Sequence, residues 1–177
     1  MTQAIKSKSK GFFQLARIWF FLHLVAILSV GLHPKPSLAA EKIDFFYGPL
    51  TLSLSIDALE TYVQDGTITR EFGFYAGHMG TKTLGQLRQL LQRSFDMDSV
   101  AVYRLTQTSM MADLLQGVGQ FVNTPSRLNG FYAIRSALVL AAAEKDNWTL
   151  IDVMRHFPTE SISIDAKQAL EILNKNQ

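Results

Sequence analysis

A strictly alternating segment near the start of the chain restricts the fold more than any other feature. Leucine or isoleucine occupies every second position from Leu50 to Ile56, with threonine or serine between them. This period of two is typical of a strand with one buried face. Gly48 and Pro49 favour a turn after residues 43–47, so we predict a β-hairpin.

Downstream of the hairpin, apolar residues recur at the three- and four-residue spacing of amphipathic helices. Caps are expected at Ser55, at Thr67 or Thr69, at Asp98 and at Asp165. The predicted helices cover, roughly, residues 55–66, 67 or 69 to 77, 83–93, 98–103, 109–122, 128–143, 149–157 and 165–175. A short strand over 161–164 is expected to join the hairpin. The fold class is therefore α+β and predominantly helical, with about seven helices and a small two- or three-stranded antiparallel sheet.

The first forty residues resemble a secretory signal peptide. Four basic residues precede an apolar run over 18–32, and Ser37 to Ala39 supply the small-x-small pattern of a cleavage site. The basic residues are Lys6, Lys8, Lys10 and Arg17. The apolar run is shorter than the roughly 20 residues that cross a bilayer.

We therefore predict a signal peptide over 1–39, cleaved between Ala39 and Ala40, and a single, mostly helical domain over 40–177. The protein is expected to be extracytoplasmic, either periplasmic or secreted. Alternatively, an uncleaved N-terminal segment anchors the domain to the membrane.

The charge of the mature chain excludes one class of partner. Five of the 17 Lys and Arg residues lie in the leader, which leaves 12 against 15 Asp and Glu, a net charge of −3. Nucleic-acid binding requires clustered basic residues, so we predict no nucleic-acid partner. The chain has no cysteine, which excludes disulfides and thiolate chemistry.

Few residues are candidates for catalysis. His78 and His156 are the only histidines beyond the leader, and Asp152 lies four residues before His156. That spacing fits half of a metal site, or a local contact within one helix. The serines have no adjacent base, and no Gly-x-Ser-x-Gly motif occurs. We predict no catalytic residue, no metal ligand and no cofactor.

Two groups of residues suggest binding instead. Phe72, Phe74, Tyr75, Met110 and Met111 fit either core positions or an apolar groove for a lipid or a partner.

Arg135 interrupts the most apolar predicted helix. Burial of a lone charge is costly, so we predict a buried structural charge that meets a carboxylate or several carbonyls, with an ion pair favoured. An anionic ligand is the alternative partner for this guanidinium.

Several segments carry a family resemblance. They are IDFFYGPLTLSLSIDALE (43–60), NGFYAIRSAL (129–138), RHFPT (155–159) and ISID (162–165). Together they resemble the domain of unknown function found in cyanobacteria N-terminal to α/β-hydrolase domains of esterase or lipase type. The likeness extends over about 41–175. It implies that hydrolase chemistry belongs to a following domain, and we expect this chain to function without that domain.

The resemblance and the residues together give three hypotheses for function. The first is an exported, non-enzymatic accessory or interaction domain, whose partner is an α/β hydrolase or another extracytoplasmic protein. The second is a helical domain that binds an apolar ligand or a lipid. The third is an esterase or other hydrolase, which is suggested by the family label alone.

Overall fold

The computed structural model describes residues 39–175, so residues 1–38 of the predicted signal peptide lie outside the described part. Residues 39–175 contain eight helices and six strands. The helices are α1 (Ile56–Asp65), α2 (Arg70–Ala76), α3 (Thr81–Gln92), α4 (Ser99–Thr106), α5 (Ser109–Gly119), α6 (Gly130–Glu144), α7 (Leu150–Arg155) and α8 (Ala166–Lys175). The strands are β1 (Lys42–Tyr47), β2 (Leu50–Ser55), β3 (Ser94–Phe95), β4 (Val122–Asn123), β5 (Trp148–Thr149) and β6 (Ser161–Asp165). This architecture confirms the predicted α+β class with mostly helical structure.

The main sheet is larger than predicted and is mixed rather than antiparallel. Its strand order is β2-β1-β6-β4. The hairpin pair β1–β2 is antiparallel, as expected, but β6 pairs parallel with β1. The two-residue strand β4 adds at the far edge, and β3 pairs with β5 in a second small sheet. Strands of two residues carry no periodic signal, which is why the sequence did not indicate them.

Four of the eight helices between residues 39 and 175 start at the predicted caps. Each capping side chain accepts a hydrogen bond from a backbone N–H three residues later, which satisfies one of the free donors of the first turn. The caps are Ser55 for α1, Thr69 for α2, Asp98 for α4 and Asp165 for α8. The predicted helix over 109–122 ends early, at Gly119, because Val122 and Asn123 enter β4.

The core lies between the apolar face of the sheet and the helices that cover it. Ile43 lies opposite Leu54 in β2 and Ile162 in β6, and all three side chains are buried. Helices α1, α2, α3, α6 and α7 contribute further buried side chains to this cluster. A second, smaller cluster surrounds Trp148, whose indole stacks on Phe95 at 4.8 Å.

Helix α6, the most apolar of the predicted helices, is buried on one side only. Ala133, Ala137 and Ala141 are buried, and this small-residue side packs towards neighbouring helices. Outside this stripe, Tyr132 is 66% exposed and Leu140 is 44% exposed. Small alanines allow close helix approach. Of the larger apolar residues, Ile134, Leu138 and Val139 pack against the two core clusters, whereas Tyr132 and Leu140 remain at the surface. Within residues 39–175, no helix combines the length and apolar character needed to cross a bilayer.

Candidate functional site

The outer half of the hairpin carries an apolar face that extends beyond the core. Tyr47 lies opposite Leu50, and Phe45 lies opposite Leu52, on the same face as the buried pair Ile43 and Leu54. The exposed fractions are 56% for Tyr47, 62% for Leu50 and 42% for Leu52. The face that is buried near β6 is therefore open to solvent at the turn.

Helix α2 extends this apolar surface with two aromatic rings. The Tyr75 ring lies 5.6 Å from Phe45, and Phe74 packs edge-on against Tyr75 at 5.4 Å. Phe74 is 55% exposed. We call Tyr47, Leu50, Leu52, Phe74 and Tyr75 the hairpin patch.

A hydrogen bond attaches α2 to the edge of the sheet. The Tyr75 hydroxyl donates to the backbone carbonyl of Ser53 at 2.9 Å. Burial, and then the negative charges of Glu71 and Asp44, raise the pKa of the Tyr75 phenol. Tyr75 therefore stays protonated as a donor at neutral pH. Glu71 also accepts the Ser55 N–H, at 2.6 Å, so α2 satisfies two backbone polar groups of β2.

The structure divides the predicted aromatic and methionine groove between two regions. Phe72 is 1% exposed and belongs to the main core. Helix α2 packs against α1 and β2, whereas α5, which carries Met110 and Met111, packs against α6, α4 and β4. Met110 is 76% exposed. Helical spacing defines the face of one helix but not which helices become neighbours, so Phe74 and Tyr75 lie in the patch without the methionines.

A second surface feature lies between α4 and α6. It is an open groove of about 310 Å³, lined by Tyr103, Tyr132, Arg135, Ser136, Val139 and Leu140. Five of these residues follow the i, i+3, i+4, i+7, i+8 spacing of one face of α6. We call it the Arg135 groove.

Arg135 is partly buried, which corrects the prediction of a buried ion pair. Its guanidinium lies over the Tyr103 ring, 5.2 Å from the centroid. None of the ion pairs formed within residues 39–175 includes Arg135. The aromatic face takes the place of the expected carboxylate because Arg135 lies on the exposed side of α6.

A smaller cavity lies on the other face of the main sheet. It has a volume of about 140 Å³, and its lining includes Phe46, Asn123, Ser163 and Asp165. Arg127 lies over the Phe46 ring at 4.8 Å. This arginine has the same kind of aromatic contact as Arg135 but a more polar setting.

The candidate catalytic side chains have structural partners. His78 Nδ1 lies 2.7 Å from the Phe74 carbonyl, one turn back in the chain. His156 Nδ1 lies 2.8 Å from the Asp152 carbonyl, and its Nε2 contacts the Glu144 carboxylate. In the described part of the chain, no side-chain hydrogen bond joins a serine hydroxyl to either ring.

Asp152 has a capping role rather than a role as a ligand. Its Oδ2 accepts hydrogen bonds from the backbone N–H and the hydroxyl of Thr149, both at 2.7 Å. Lys145 Nζ lies 2.8 Å from Oδ1. Burial alone would raise the pKa of Asp152, but the hydrogen bonds from Lys145 and Thr149 outweigh it and lower the pKa. Between residues 39 and 175, no group of three or more histidine and acidic side chains is placed to hold a metal ion.

Ala40, beside the predicted cleavage site, is part of the folded domain. Its side chain is fully buried, and its N–H donates to the Arg155 carbonyl at 3.1 Å. Glu41 continues the attachment by donating to the Glu160 carbonyl at 2.9 Å.

The comparison with family models assigns the chain to a family, which no single residue of the chain does. Residues 39–165 match the family model described as "Alpha/beta hydrolase of unknown function (DUF1400)", which is well over half of the chain. No curated protein and no solved structure matches the chain.

Proposed function

The chain belongs to the DUF1400 family, described as alpha/beta hydrolase of unknown function, and we propose that it is an exported accessory domain that binds a hydrolase rather than catalysing hydrolysis itself. The family label associates the domain with α/β hydrolases. The proposed domain is residues 40–177, freed by cleavage after Ala39.

The uses of the polar side chains support a role without catalysis. A hydrolase nucleophile requires a base within hydrogen-bond reach and a third group that orients the base. Here both histidine rings contact the backbone of their own segments, and Asp152 is occupied by Thr149 and Lys145. The nucleophile elbow of α/β hydrolases also depends on a series of parallel strands. The main sheet described here has one parallel pair, β1–β6.

The hairpin patch is the proposed docking surface, and this is the observation on which the proposal depends. Its members are uncharged aromatic and leucine side chains, and two of them, Leu50 and Leu52, lie on the edge strand β2 itself. Exposed apolar residues that adjoin one another are typical of protein interfaces. The proposed occupant is an extracytoplasmic α/β-hydrolase domain, of the kind that the resemblance places after this domain in longer relatives.

Binding to such a domain tests the proposal directly. The hydrolase domain of a longer family member is produced as a separate polypeptide and titrated by calorimetry with the purified protein. We expect Leu50→Glu to weaken binding by about tenfold or more, because it places a charge in the patch. Met110→Glu is the matched control, since Met110 is even more exposed than Leu50 but lies on α5, and it should leave the affinity unchanged. No binding, or equal effects of both substitutions, would refute the proposed surface.

An esterase assay separates the proposal from the hydrolase alternative. We expect p-nitrophenyl butyrate to be hydrolysed at its uncatalysed rate when the purified protein alone is added. The buried hydroxyl residues Thr106, Ser161 and Ser163 are the ones to replace with alanine if activity is found. Activity that disappears with one of these replacements would make the domain an enzyme.

A further inference from the structure

We propose that the Arg135 groove binds the carboxylate end of a free, single-chain fatty acid. This inference concerns α4 and α6 and does not depend on the hairpin patch or on a hydrolase partner. It begins from the composition of the groove. Tyr103, Tyr132, Val139 and Leu140 supply mainly apolar walls, whereas Arg135 and Ser136 supply polar groups at one place in them.

The charge of Arg135 selects an anion. No acidic residue lines the groove, and the ion pairs within residues 39–175 do not use this guanidinium. A guanidinium over an aromatic ring keeps N–H groups available for a carboxylate, which it can bind in a bidentate manner. The Tyr103 ring thus holds Arg135 in place while leaving it able to bind an anion. Ser136, the next residue, provides a hydroxyl donor in the same turn of the helix.

The shape of the groove favours an anion that carries an alkyl chain. From Tyr132 to Leu140 the lining extends about 12 Å along α6, at a rise of about 1.5 Å per residue, and about 7.5 Å of this length lies beyond Arg135. Val139 and Leu140 lie one turn beyond Arg135, where an alkyl chain would follow the carboxylate. A volume of about 310 Å³ is at the lower end of the range for small-ligand pockets. A medium-length acyl chain fits a space of this volume.

Decanoate and decanol provide a matched pair of probes, because they share a ten-carbon chain and differ in the carboxylate. The full chain is expressed, processed by the host, purified without detergent and titrated with each probe by calorimetry. We expect decanoate to bind at least tenfold more tightly than decanol. Equal affinity for the two probes, or no binding of decanoate, would overturn the proposal.

Substitutions locate the site. Arg135→Gln should weaken decanoate about tenfold and leave decanol unchanged, since only the carboxylate contact is lost. Arg127→Gln is the control, because Arg127 also lies over an aromatic ring but in the other cavity, and it should have no effect. Leu140→Glu should abolish decanoate binding by repulsion on the exposed wall. Retained binding in both Arg135→Gln and Leu140→Glu, or self-association that Leu140→Glu removes, would contradict a fatty-acid site. An unchanged thermal unfolding midpoint in each variant shows that its fold is intact.

Discussion

Arg155, the last residue of α7, donates an Nη2 hydrogen bond to the Glu60 carboxylate of α1 at 2.8 Å. The same nitrogen also pairs with Asp57, one turn earlier in α1. Burial alone would lower the pKa of Arg155, but the hydrogen bonds to Asp57 and Glu60 outweigh it and raise the pKa. Its backbone carbonyl meanwhile accepts the N–H of Ala40. One residue therefore connects α7, α1 and the start of the domain.

Loss of the Arg155 side chain should destabilise the domain modestly. The side chains of Arg155 and Glu60 are 30% and 38% exposed, so solvent screens the pair, and we expect Arg155→Gln to lower the free energy of unfolding by about 1 kcal/mol. Urea unfolding of Arg155→Gln, Glu60→Gln and the double variant measures the coupling. We expect the double variant to lose less than the sum of the single losses. Strict additivity would mean that the two side chains do not interact.

The Asp152 cap should give the stability of the domain a pH dependence. Because the folded-state pKa of Asp152 is lowered, its stabilisation is present above the unfolded pKa of about 3.9 and is lost as pH falls through the folded value. Asp152→Asn should therefore cost about 1 kcal/mol at neutral pH, where it removes the charge that faces Lys145. The difference from the wild type should shrink in strong acid.

The measurement is urea unfolding of both proteins across the acid range. Asp113→Asn serves as the control, since Asp113 is an exposed residue of α5, and it should change stability by no more than about 0.5 kcal/mol. A deficit for Asp152→Asn that is constant at every pH would indicate that packing, not charge, explains the effect.

Local features of the fold could be predicted from the sequence because they depend on residues close together in the chain. The caps at Ser55 and Asp98 act on an N–H three residues away, so the residue type and the start of an apolar stripe are sufficient. The alternation over Leu50–Ile56 likewise defines one strand and its faces.

Pairings between distant segments could not be predicted in the same way. Ile43 lies beside Ile162 although more than a hundred residues separate them, and nothing in either segment specifies a parallel register. The contacts of Arg135 in its groove could not be predicted from the sequence either. The sequence shows an arginine in an apolar helix. Its surroundings depend on which side of α6 faces α4, the helix that carries Tyr103. The presence of Arg135 was therefore informative, whereas its partner required the tertiary structure.

Two glycines of α5 should respond to alanine in opposite ways. A Cβ atom added at Gly119 would lie 2.6 Å from the backbone nitrogen of Phe131, where the end of α5 meets the start of α6. A Cβ at Gly117 would meet nothing within 4 Å. We expect Gly119→Ala to cost about 1–3 kcal/mol through overpacking, and Gly117→Ala to add up to about 1 kcal/mol through helix propensity. Urea unfolding of the two variants provides the comparison. A similar loss in both would argue against close contact between α5 and α6 at Gly119.

Ala40 implies an order of events for removal of the predicted signal peptide. A peptidase has to hold the chain on both sides of the bond between Ala39 and Ala40, but in the folded domain Ala40 is buried and its N–H is bound to Arg155. We therefore expect signal peptidase in lipid vesicles to cleave the full chain during synthesis and to leave the folded, uncleaved chain intact. Gel electrophoresis follows the cleavage, and N-terminal sequencing should identify Ala40 as the first residue.

A longer connection provides the control for this order of events. Insertion of about six glycine and serine residues between Ala39 and Ala40 would add up to roughly 20 Å of extended chain and move the cleavable bond away from the fold. The folded inserted chain should then be cleaved as efficiently as the nascent one. Rapid cleavage of the folded chain without the insertion would mean that Ala40 leaves its site readily. The contact with Arg155 would then contribute little to holding the start of the domain in place.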